Sequence, residues 1–248
     1  MPTLAGMRRR GYPPAALREF VARIGVTKKE NLIEMALLET CVRENLDHDA
    51  TRRMAVIRPL KVTLTNYPRD RHEILAATNH PHRPELGSRE LPFSRELYIE
   101  QDDFRETPPP KYFRLAPGVE VRLRYAYFIK ATDVIKDAAG NIIEVHATYD
   151  PATRGGDSPD GRKVKGTIHW VSAEHAVPCE VRLYDRLFSV PDPDEAEGDF
   201  RDHLNADSLT VVRGAMIEPG VRDDPVGTRY QFERLGYFCS DSEESRPD

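Results

Sequence analysis

The first 50 residues carry hydrophobic side chains at helical spacing. Pro13 and Pro14 suit the first turn of a helix, where the missing N–H of proline needs no partner. Apolar residues then recur on one face at i, i+3, i+4 and i+7: Leu17, Phe20, Val21 and Ile24. Gly25 stands where a C-terminal cap belongs. The pattern therefore predicts a helix that ends at Gly25.

A second helix is predicted after the first. Thr27 and Glu30 have the spacing of a capping box, in which the Thr hydroxyl accepts from the Glu amide and the Glu carboxylate reaches back. We expect this helix to run to about Leu46. Its apolar residues should be buried: Leu32, Met35, Val42 and Leu46. Residues 1–50 are thus expected to form a small α-helical subdomain.

From Met54 onward the pattern changes to short β-like runs separated by turn residues. Asp137–Asn141 and Asp160–Gly161 have the composition of tight turns. The runs include MAVIRPLKVTL, VRLRYAYFIKATDVI, IIEVHATYD, PCEVRLYDRLFSV and LTVVRGAMI. Short strands without intervening helices are typical of antiparallel barrels or sandwiches. Roughly 190 residues exceed one small barrel, so we expect a mainly β protein with two antiparallel β-barrels.

Composition narrows the class of protein. Hydrophobic residues make up 39% of the 248 residues and charged residues 31%, and no apolar run approaches the roughly 20 residues that span a bilayer. The N-terminus lacks the apolar core of a signal peptide. The three scattered cysteines argue against a disulfide framework or a zinc site and fit a reducing cytosol. We expect a cytoplasmic protein with no membrane partner.

Charge is distributed unevenly along the chain. The net charge of −5 by itself speaks against nonspecific binding of nucleic acid. Residues 105–130, however, carry six Lys/Arg against two Glu, whereas residues 192–207 carry seven Asp/Glu against one Arg. Local fields of this kind matter more than the total charge for a polyanionic ligand.

Common catalytic motifs are absent from the sequence. It contains no P-loop, no GxGxxG that opens a helix, no GxSxG and no HExxH. The eight histidines do not cluster at metal-ligand spacing, and His169 is expected to be a packed histidine of a strand. We therefore predict no catalytic residue and no metal site in this chain.

Basic residues supply the more informative pattern. In Val119–Tyr125 apolar and polar residues alternate, so that Arg122 and Arg124 lie on one exposed face, roughly 7 Å apart. Just before them, residues 111–114 mix two cations with two aromatic rings. Such a mixture can pair with phosphates and stack on unpaired RNA bases. An ordinary solvated strand face would have the same alternation, and the pattern does not decide between these two interpretations.

Two further places have weaker signals of the same kind. Arg52 and Arg53 stand at the junction between the helices and the first strand. Gln231 and Arg234 flank an aromatic residue and a glutamate, and both types of side chain suit bidentate contacts to bases. In a regular strand Gln231 and Arg234 would face opposite sides, so a turn or bulge is needed for them to converge.

Five segments of the chain are recognisable together. The most specific are DGRKVKGTIHWVS and VRLYDRLF, and the others are RRMAVIRPLKV, NHPHRPELGSRELPFS and QFERLGYFC. With these segments the chain resembles the C-terminal part of bacterial glutaminyl-tRNA synthetases (glutamine–tRNA ligases), which are class I enzymes, over residues 2–240. Glutamyl-tRNA synthetases of the archaeal and eukaryotic type share the architecture and are the nearest alternative.

The resemblance implies a fold and its boundaries. Residues 1–50 would be a helical connecting subdomain. Residues 51–109 and 189–240 would form a proximal anticodon-binding β-barrel, and residues 110–188 a distal one. Residues 241–248 lack an apolar anchor and are expected to be a disordered tail.

The resemblance also implies contacts to the tRNA anticodon. Residues that match the family's anticodon-binding positions are Arg52, Arg114, Arg122, Arg124, Gln231 and Arg234. Lys111 is included although enteric bacterial enzymes have glutamine there, whereas Phe113 replaces a family lysine. Asp47 replaces a family asparagine, and its carboxylate would repel phosphate and accept only from base amino groups.

Enzymatic activity is expected of a parent protein rather than of this chain. Class I synthetases bind ATP through HIGH-like and KMSKS-like motifs, which are absent here. The resemblance implies a monomeric glutamine–tRNA ligase that uses ATP with Mg²⁺ and acts on glutamine tRNA, and a chain that binds tRNA without cofactor and is inactive alone. A free-standing RNA-binding module and a structural scaffold are the alternatives that the residues leave open.

Overall fold

A computed structural model describes residues 3–29 and 31–245. Three helices come first, α1 (Leu4–Arg9), α2 (Pro14–Ile24) and α3 (Met35–Asp49). In the described part fifteen strands follow: β1 (Thr51–Arg53), β2 (Ala55–Val56), β3 (Pro59–Leu64), β4 (Glu73–Thr78), β5 (Ser88–Phe93), β6 (Glu96–Glu100), β7 (Glu120–Leu123), β8 (Phe128–Lys136), β9 (Ile142–Asp150), β10 (Thr167–Ile168), β11 (Val171–Ser172), β12 (Val177–Tyr184), β13 (Leu209–Ile217), β14 (Arg229–Phe232) and β15 (Gly236–Cys239). A mainly β protein with a small helical N-terminal region is therefore confirmed.

The helix predicted to end at Gly25 is confirmed. Pro13 is the N-cap of α2, and Gly25 is its C-cap with φ +69°, a conformation that glycine adopts without strain. The buried face differs from the prediction at two positions. Val21, which was predicted to lie on it, is exposed, and Ala16, which was not predicted, is buried.

The predicted start of the second helix is wrong. Helix α3 begins at Met35, and the Thr27 hydroxyl accepts a hydrogen bond from the Lys29 amide at 3.1 Å, as in a local turn. Glu30, the other half of the predicted capping box, lies outside the described residues. Leu32, expected in the core, is 63% exposed, whereas Val42 and Leu46 are buried as predicted.

Two compact units make up the chain. Unit 1 comprises Met1–Thr51, Arg182–Val211 and Asp224–Asp248, and unit 2 comprises Arg52–Val181 and Val212–Asp223. The predicted division at residues 51, 110 and 189, and the closure of the sheets into a proximal and a distal barrel, stay predictions.

Unit 1 is built around α2, α3 and the β14–β15 hairpin. The helices bury a small core of Ala16, Leu38, Cys41, Val42, Leu46 and Ala50, against which Tyr237 of β15 packs. The hairpin pairs Gln231 with Tyr237 and Phe232 with Gly236. Beyond it, Arg9 binds the carboxylates of Asp241 and Glu244, both at 2.8 Å. Of the tail that the sequence predicts to be disordered, residues 246–248 lie outside the described part.

Unit 2 contains a seven-stranded sheet of order β10-β7-β8-β9-β3-β6-β11. Most neighbours are antiparallel, but β3 with β9 and β7 with β10 are parallel, which the sequence did not predict. A parallel pair needs a long connection, and β3 and β9 are far apart in the sequence. Strands β4 and β5 form a separate hairpin, and the predicted turn at Asp137–Asn141 joins β8 to β9.

Aromatic rings fill the core of unit 2. Phe93 lies 5.0 Å from Trp170, 5.2 Å from Tyr127 and 5.3 Å from Tyr67, measured between ring centroids. Both tyrosine hydroxyls donate to one carboxylate oxygen of Glu73, at 2.9 and 2.8 Å. Burial and the contact with Glu73 raise the pKa of Tyr127 to about 12. The core that supports strands β7 to β10 is thus tightly packed, and Glu73 satisfies the hydroxyls of both tyrosines.

Candidate nucleic-acid interface

Strand β7 has the alternation that the sequence predicts. Val121 and Leu123 are 1% and 0% exposed, whereas Glu120 and Arg122 are only half-buried. Arg124 follows the strand, and its carbonyl oxygen accepts a hydrogen bond from the Trp170 indole at 2.9 Å. The buried indole therefore ties the backbone of this basic segment to the core.

The guanidinium of Arg122 is held by weak contacts. Its central carbon lies 5.4 Å from the centroid of the Phe128 ring, and Nη2 lies 3.7 Å from a carboxylate oxygen of fully exposed Asp157. Among the described residues nothing accepts a hydrogen bond from its buried Nε. An exposed pair of this length contributes little, so Arg122 can exchange Asp157 for a phosphate at small cost.

Arg162 pairs with acidic groups beside Arg122. It binds both carboxylate oxygens of Glu120 at 3.0 and 3.1 Å, Asp150 at 2.5 Å and Asp160 at 2.6 Å. Hydrogen bonds from Ser158 and from Arg162 lower the pKa of Asp160 to about 2. Because Glu120 shares a face with Arg122, this pairing reduces the negative charge beside Arg122.

The loop that contains Lys111 and Arg114 is anchored to a helical turn. The Tyr112 hydroxyl and Arg114 Nη1 both donate to the carbonyl of Asp102 at 2.9 Å, and Arg114 Nε lies 3.4 Å from buried Asp103. Lys111 is exposed and has φ +64°. Arg114 is thus a positioned cation, and Lys111 projects from a fixed loop.

A cleft of about 310 Å³ opens beside this loop. Its lining includes Phe113, Lys163 and Lys165, and Lys165 Nζ lies 5.2 Å from the centroid of the Phe113 ring. A Cβ at Gly166 would lie 2.3 Å from the Phe113 carbonyl oxygen, so only glycine allows this approach. Sequence reasoning missed Lys163, Lys165 and Arg162. The basic run RKVK was the available signal, but Glu120, which Arg162 contacts, and Phe113, which Lys165 contacts, are distant in sequence.

Arg52 is buried among polar and charged residues of unit 2. It is 5% exposed, and its amide donates to the Asn79 carbonyl at 2.7 Å. Next to it Arg53 donates to the Arg52 carbonyl and to Asn79 Oδ1, both at 3.1 Å. Buried Glu218 accepts from Arg89 at 2.6 Å and lies 3.5 Å from Arg53. Arg52 is therefore much less accessible than the strand arginines, and its role as a base reader stays a prediction.

Gln231 and Arg234 lie in unit 1, on the β14–β15 hairpin. The turn that their spacing requires is present over residues 233–235, and Arg234 occupies it with φ +69°. Gln231 Nε2 donates to the Tyr237 hydroxyl at 3.4 Å, and that hydroxyl donates to Asp47 Oδ1 at 3.1 Å. An asparagine at this position would offer both a donor and an acceptor, whereas the Asp47 carboxylate only accepts.

Backbone strain coincides with the predicted site. In the described part three non-glycine residues have positive φ: Lys111, Tyr125 and Arg234. Tyr125 directly follows Arg124, whose guanidinium lies 4.9 Å from the centroid of its ring. Such conformations cost energy and persist where surrounding contacts hold them, often at functional sites.

The predicted site residues are divided between the two units. Unit 2 contains Arg52, Lys111, Arg114, Arg122 and Arg124, and unit 1 contains Gln231 and Arg234.

No helix within residues 3–29 and 31–245 combines the length and apolar character required to cross a membrane.

Two family models match the chain, over residues 50–150 and 167–241. Both are described as tRNA synthetases class I (E and Q), anti-codon binding domain.

Individual relatives match almost the whole chain. The chain is 55% identical to a Glutamine--tRNA ligase of Bradyrhizobium diazoefficiens over 98% of its residues, covering 43% of that protein. Identity to those of Vibrio parahaemolyticus and Cronobacter sakazakii is 55% and 54% over the whole chain, covering 44% of each. The chain thus spans less than half the length of these relatives. It belongs to the class I (E and Q) tRNA synthetases and contains their anti-codon binding domain.

Proposed function

We propose that this chain is the anticodon-reading part of a glutamine–tRNA ligase and that its partner is glutamine tRNA. The observation that carries the proposal is the 54–55% identity to Glutamine--tRNA ligases along the full length of the chain. The match extends through the basic loop and β7, where the candidate contacts lie. The family models themselves cover both glutamate and glutamine enzymes.

The geometry of unit 2 suits a single-stranded RNA loop. Arg122 and Arg124 supply guanidinium donors for phosphates, and their aromatic neighbours Phe128 and Tyr125 restrict their motion. Phe113 is half-exposed beside Lys165, which pairs a stacking surface with a cation. We infer that Lys111 and Arg114 contact the RNA from the same loop.

The hairpin of unit 1 suits the reading of a base. Tyr237 orients both the Gln231 amide and the Asp47 carboxylate. A glutamine amide can form paired hydrogen bonds to a base edge, and a carboxylate accepts from an exocyclic amino group. We infer that Gln231 and Arg234 make base contacts, that Arg52 contributes from its buried position, and that Asp47 selects a base that carries an amino group.

Amino-acid activation belongs to the whole ligase in this proposal. ATP with Mg²⁺ would supply the activation step, and no residue of this chain is assigned to either, because neither the HIGH-like nor the KMSKS-like motif occurs in its sequence. We propose that the ligase is a cytoplasmic monomer and that this chain alone forms no glutaminyl-tRNA.

Aminoacylation by the complete protein tests the proposal. The full-length protein should attach glutamine to glutamine tRNA in the presence of ATP, and should leave glutamate tRNA uncharged. Charging of glutamate tRNA with glutamate would place the protein among the glutamate enzymes of the same family. No charging of either tRNA, with the anticodon still bound, would favour a free-standing RNA-binding module.

A further inference from the structure

The turn after β11 brings two potential metal ligands next to a histidine of a distant segment. Glu174 and His175 lie in this turn, and His72 lies immediately before β4, all within unit 2. Ligand atoms of the three residues lie within 4.8 Å of one another. His72 Nδ1 is 3.4 Å from Glu174 Oε2, and the two imidazole rings are 5.8 Å apart.

A hydrogen-bond relay determines the tautomer of His175. The Ser94 hydroxyl donates to the Glu96 carbonyl at 2.9 Å, and a carbonyl oxygen can only accept. The 2.7 Å contact between Ser94 and Ser172 must therefore use the hydrogen of Ser172. Because the only hydroxyl hydrogen of Ser172 is donated to Ser94, the Ser172 oxygen can only accept a hydrogen bond from His175 Nδ1, at 2.9 Å. His175 Nδ1 is thus protonated, and in the neutral ring Nε2 carries a free lone pair.

This arrangement has the features of a ligating histidine. Metal-bound histidines nearly always donate their other ring N–H to a second group, which fixes the ring and the tautomer. Ser172 and Ser94, which are 4% and 3% exposed, provide that second group from inside the fold. The relay fixes the ring of His175, so the site is preorganised on its His175 side.

The spacing of the three groups suits a tetrahedral ion. With bonds of about 2.1 Å, two ligands of a tetrahedral ion lie about 3.4 Å apart. The observed distance between His72 Nδ1 and Glu174 Oε2 already has that value. His72 and Glu174 are half-exposed and exposed, so they are free to close the remaining distance to His175. Two imidazoles and one carboxylate favour Zn²⁺ over Mg²⁺ or Ca²⁺, which prefer oxygen ligands.

The charged residues around Glu174 leave its carboxylate available to bind a metal ion. A depression of about 760 Å³ is lined by His72 and Glu174 together with Lys61, Arg69 and other polar residues. Lys61 is paired with Glu96 at 2.9 Å and lies 3.8 Å from Glu144. Arg69 and Arg95 are the other cations of this lining, and their charges would oppose a metal ion. Removal of Arg69 should therefore not weaken binding.

We propose that His72, Glu174 and His175 bind one Zn²⁺ ion, with water in the fourth position and Ser172 as the positioning residue. The sequence could not indicate this site, because His72 and the Glu174–His175 pair are far apart along the chain and have no motif spacing. None of the residues assigned to RNA belongs to it, so the proposal does not depend on anticodon binding.

Zinc titration of the metal-free chain under reducing conditions tests the site. One ion should bind per chain, and His72→Ala and His175→Ala should each weaken binding strongly. Ser172→Ala keeps all three ligands and should weaken binding roughly tenfold to hundredfold, and Ser172→Thr should restore it. His48→Gln, at an exposed histidine elsewhere, and Arg69→Gln should not weaken binding. Unchanged affinity in a His72→Ala/His175→Ala double variant would overturn the proposal.

A second measurement uses the unaltered chain and therefore does not depend on whether a variant folds. Long-range ¹H–¹⁵N spectra of the metal-free chain at neutral pH should show His175 with its proton on Nδ1. Addition of Zn²⁺ should shift the Nε2 resonance of His175 and a nitrogen resonance of His72. A proton on Nε2 of His175 in the metal-free chain would contradict the relay and overturn the site.

Discussion

Arg162 holds Glu120 through two parallel hydrogen bonds, with Nε–Oε2 and Nη2–Oε1 distances of 3.0 and 3.1 Å. The same guanidinium lies 5.3 Å from the centroid of the Phe128 ring, against which Arg122 also packs. Planar guanidinium groups are suited to both contacts at once. Arg162 therefore compensates the one carboxylate that strand β7 places on its basic face.

Loss of that compensation should weaken tRNA binding through Glu120. Arg162→Gln leaves the carboxylate beside Arg122 without its main partner, and repulsion of phosphate should lower affinity. Adding Glu120→Gln should recover a large part of the loss. Equilibrium binding to glutamine tRNA for the four members of this double-mutant cycle measures the coupling. Additive losses in the cycle would mean that Arg162 acts independently of Glu120.

Arg122 and Arg124 should act mainly on phosphates. Each neutralising change, Arg122→Gln or Arg124→Gln, should lower tRNA affinity for all anticodons alike and reduce the salt slope of log K by about one. Binding curves at several salt concentrations give the slope.

Arg201→Gln is the matched control for these two variants. Arg201 is an exposed arginine of the acidic segment and is paired with Asp199 at 2.7 Å. Its neutralisation should leave the salt slope unchanged. A solvated strand face without function predicts the same null effect at Arg122 and Arg124.

Gly166 should be required for the loop that contains Phe113. A methyl group at this position would lie 2.3 Å from the Phe113 carbonyl oxygen, and the overpacking should cost about 1–3 kcal/mol. Gly166→Ala should therefore lower both the free energy of unfolding and tRNA affinity. Gly220→Ala, where the nearest atom is 3.8 Å from the added carbon, should change neither. Equal effects of the two substitutions would rule out a specific role for the close approach.

Acid should lower the stability of unit 1, because the Asp241 carboxylate becomes protonated and loses its ion pair with Arg9. The hydrogen bonds from Arg9 hold the pKa of Asp241 at about 2, below its ordinary value. A lowered carboxylate pKa gives a stabilisation that is present above about pH 4 and is lost as the pH falls toward about 2. The difference in urea midpoint between the unaltered chain and Arg9→Gln should therefore shrink over that interval.

Arg8→Gln is the control for the acid experiment, since Arg8 is the exposed neighbour of Arg9. Its urea midpoint should follow that of the unaltered chain at every pH. The urea midpoints of Arg9→Gln and of the unaltered chain could instead differ by a constant amount from about pH 5 to about pH 2. That result would show that the ion pair does not cause the difference.

Local patterns predicted local structure well. The alternation in β7 and the glycine cap of α2 depend on neighbouring residues, and both are present. The start of α3 was predicted wrongly because a threonine hydroxyl satisfies an amide equally well in a turn.

The features missed by sequence reasoning are those set by tertiary contacts. Arg162 meets Glu120 from another segment of the chain, and Arg52 is buried by its surroundings although its sequence neighbourhood resembles an exposed junction. The parallel pairing of β3 with β9 likewise joins distant segments. None of these relationships has a periodicity that a single sequence would display.

Binding of this chain to glutamine and glutamate tRNAs with exchanged anticodons tests whether these residues read the anticodon. Affinity should follow the anticodon rather than the body of the tRNA, and Arg234→Ala should cost about 1–3 kcal/mol and relax the preference at one base. Circular dichroism of each variant confirms that it is folded. An affinity that follows the tRNA body, or that is the same for every anticodon in a folded chain, would contradict anticodon reading by these residues.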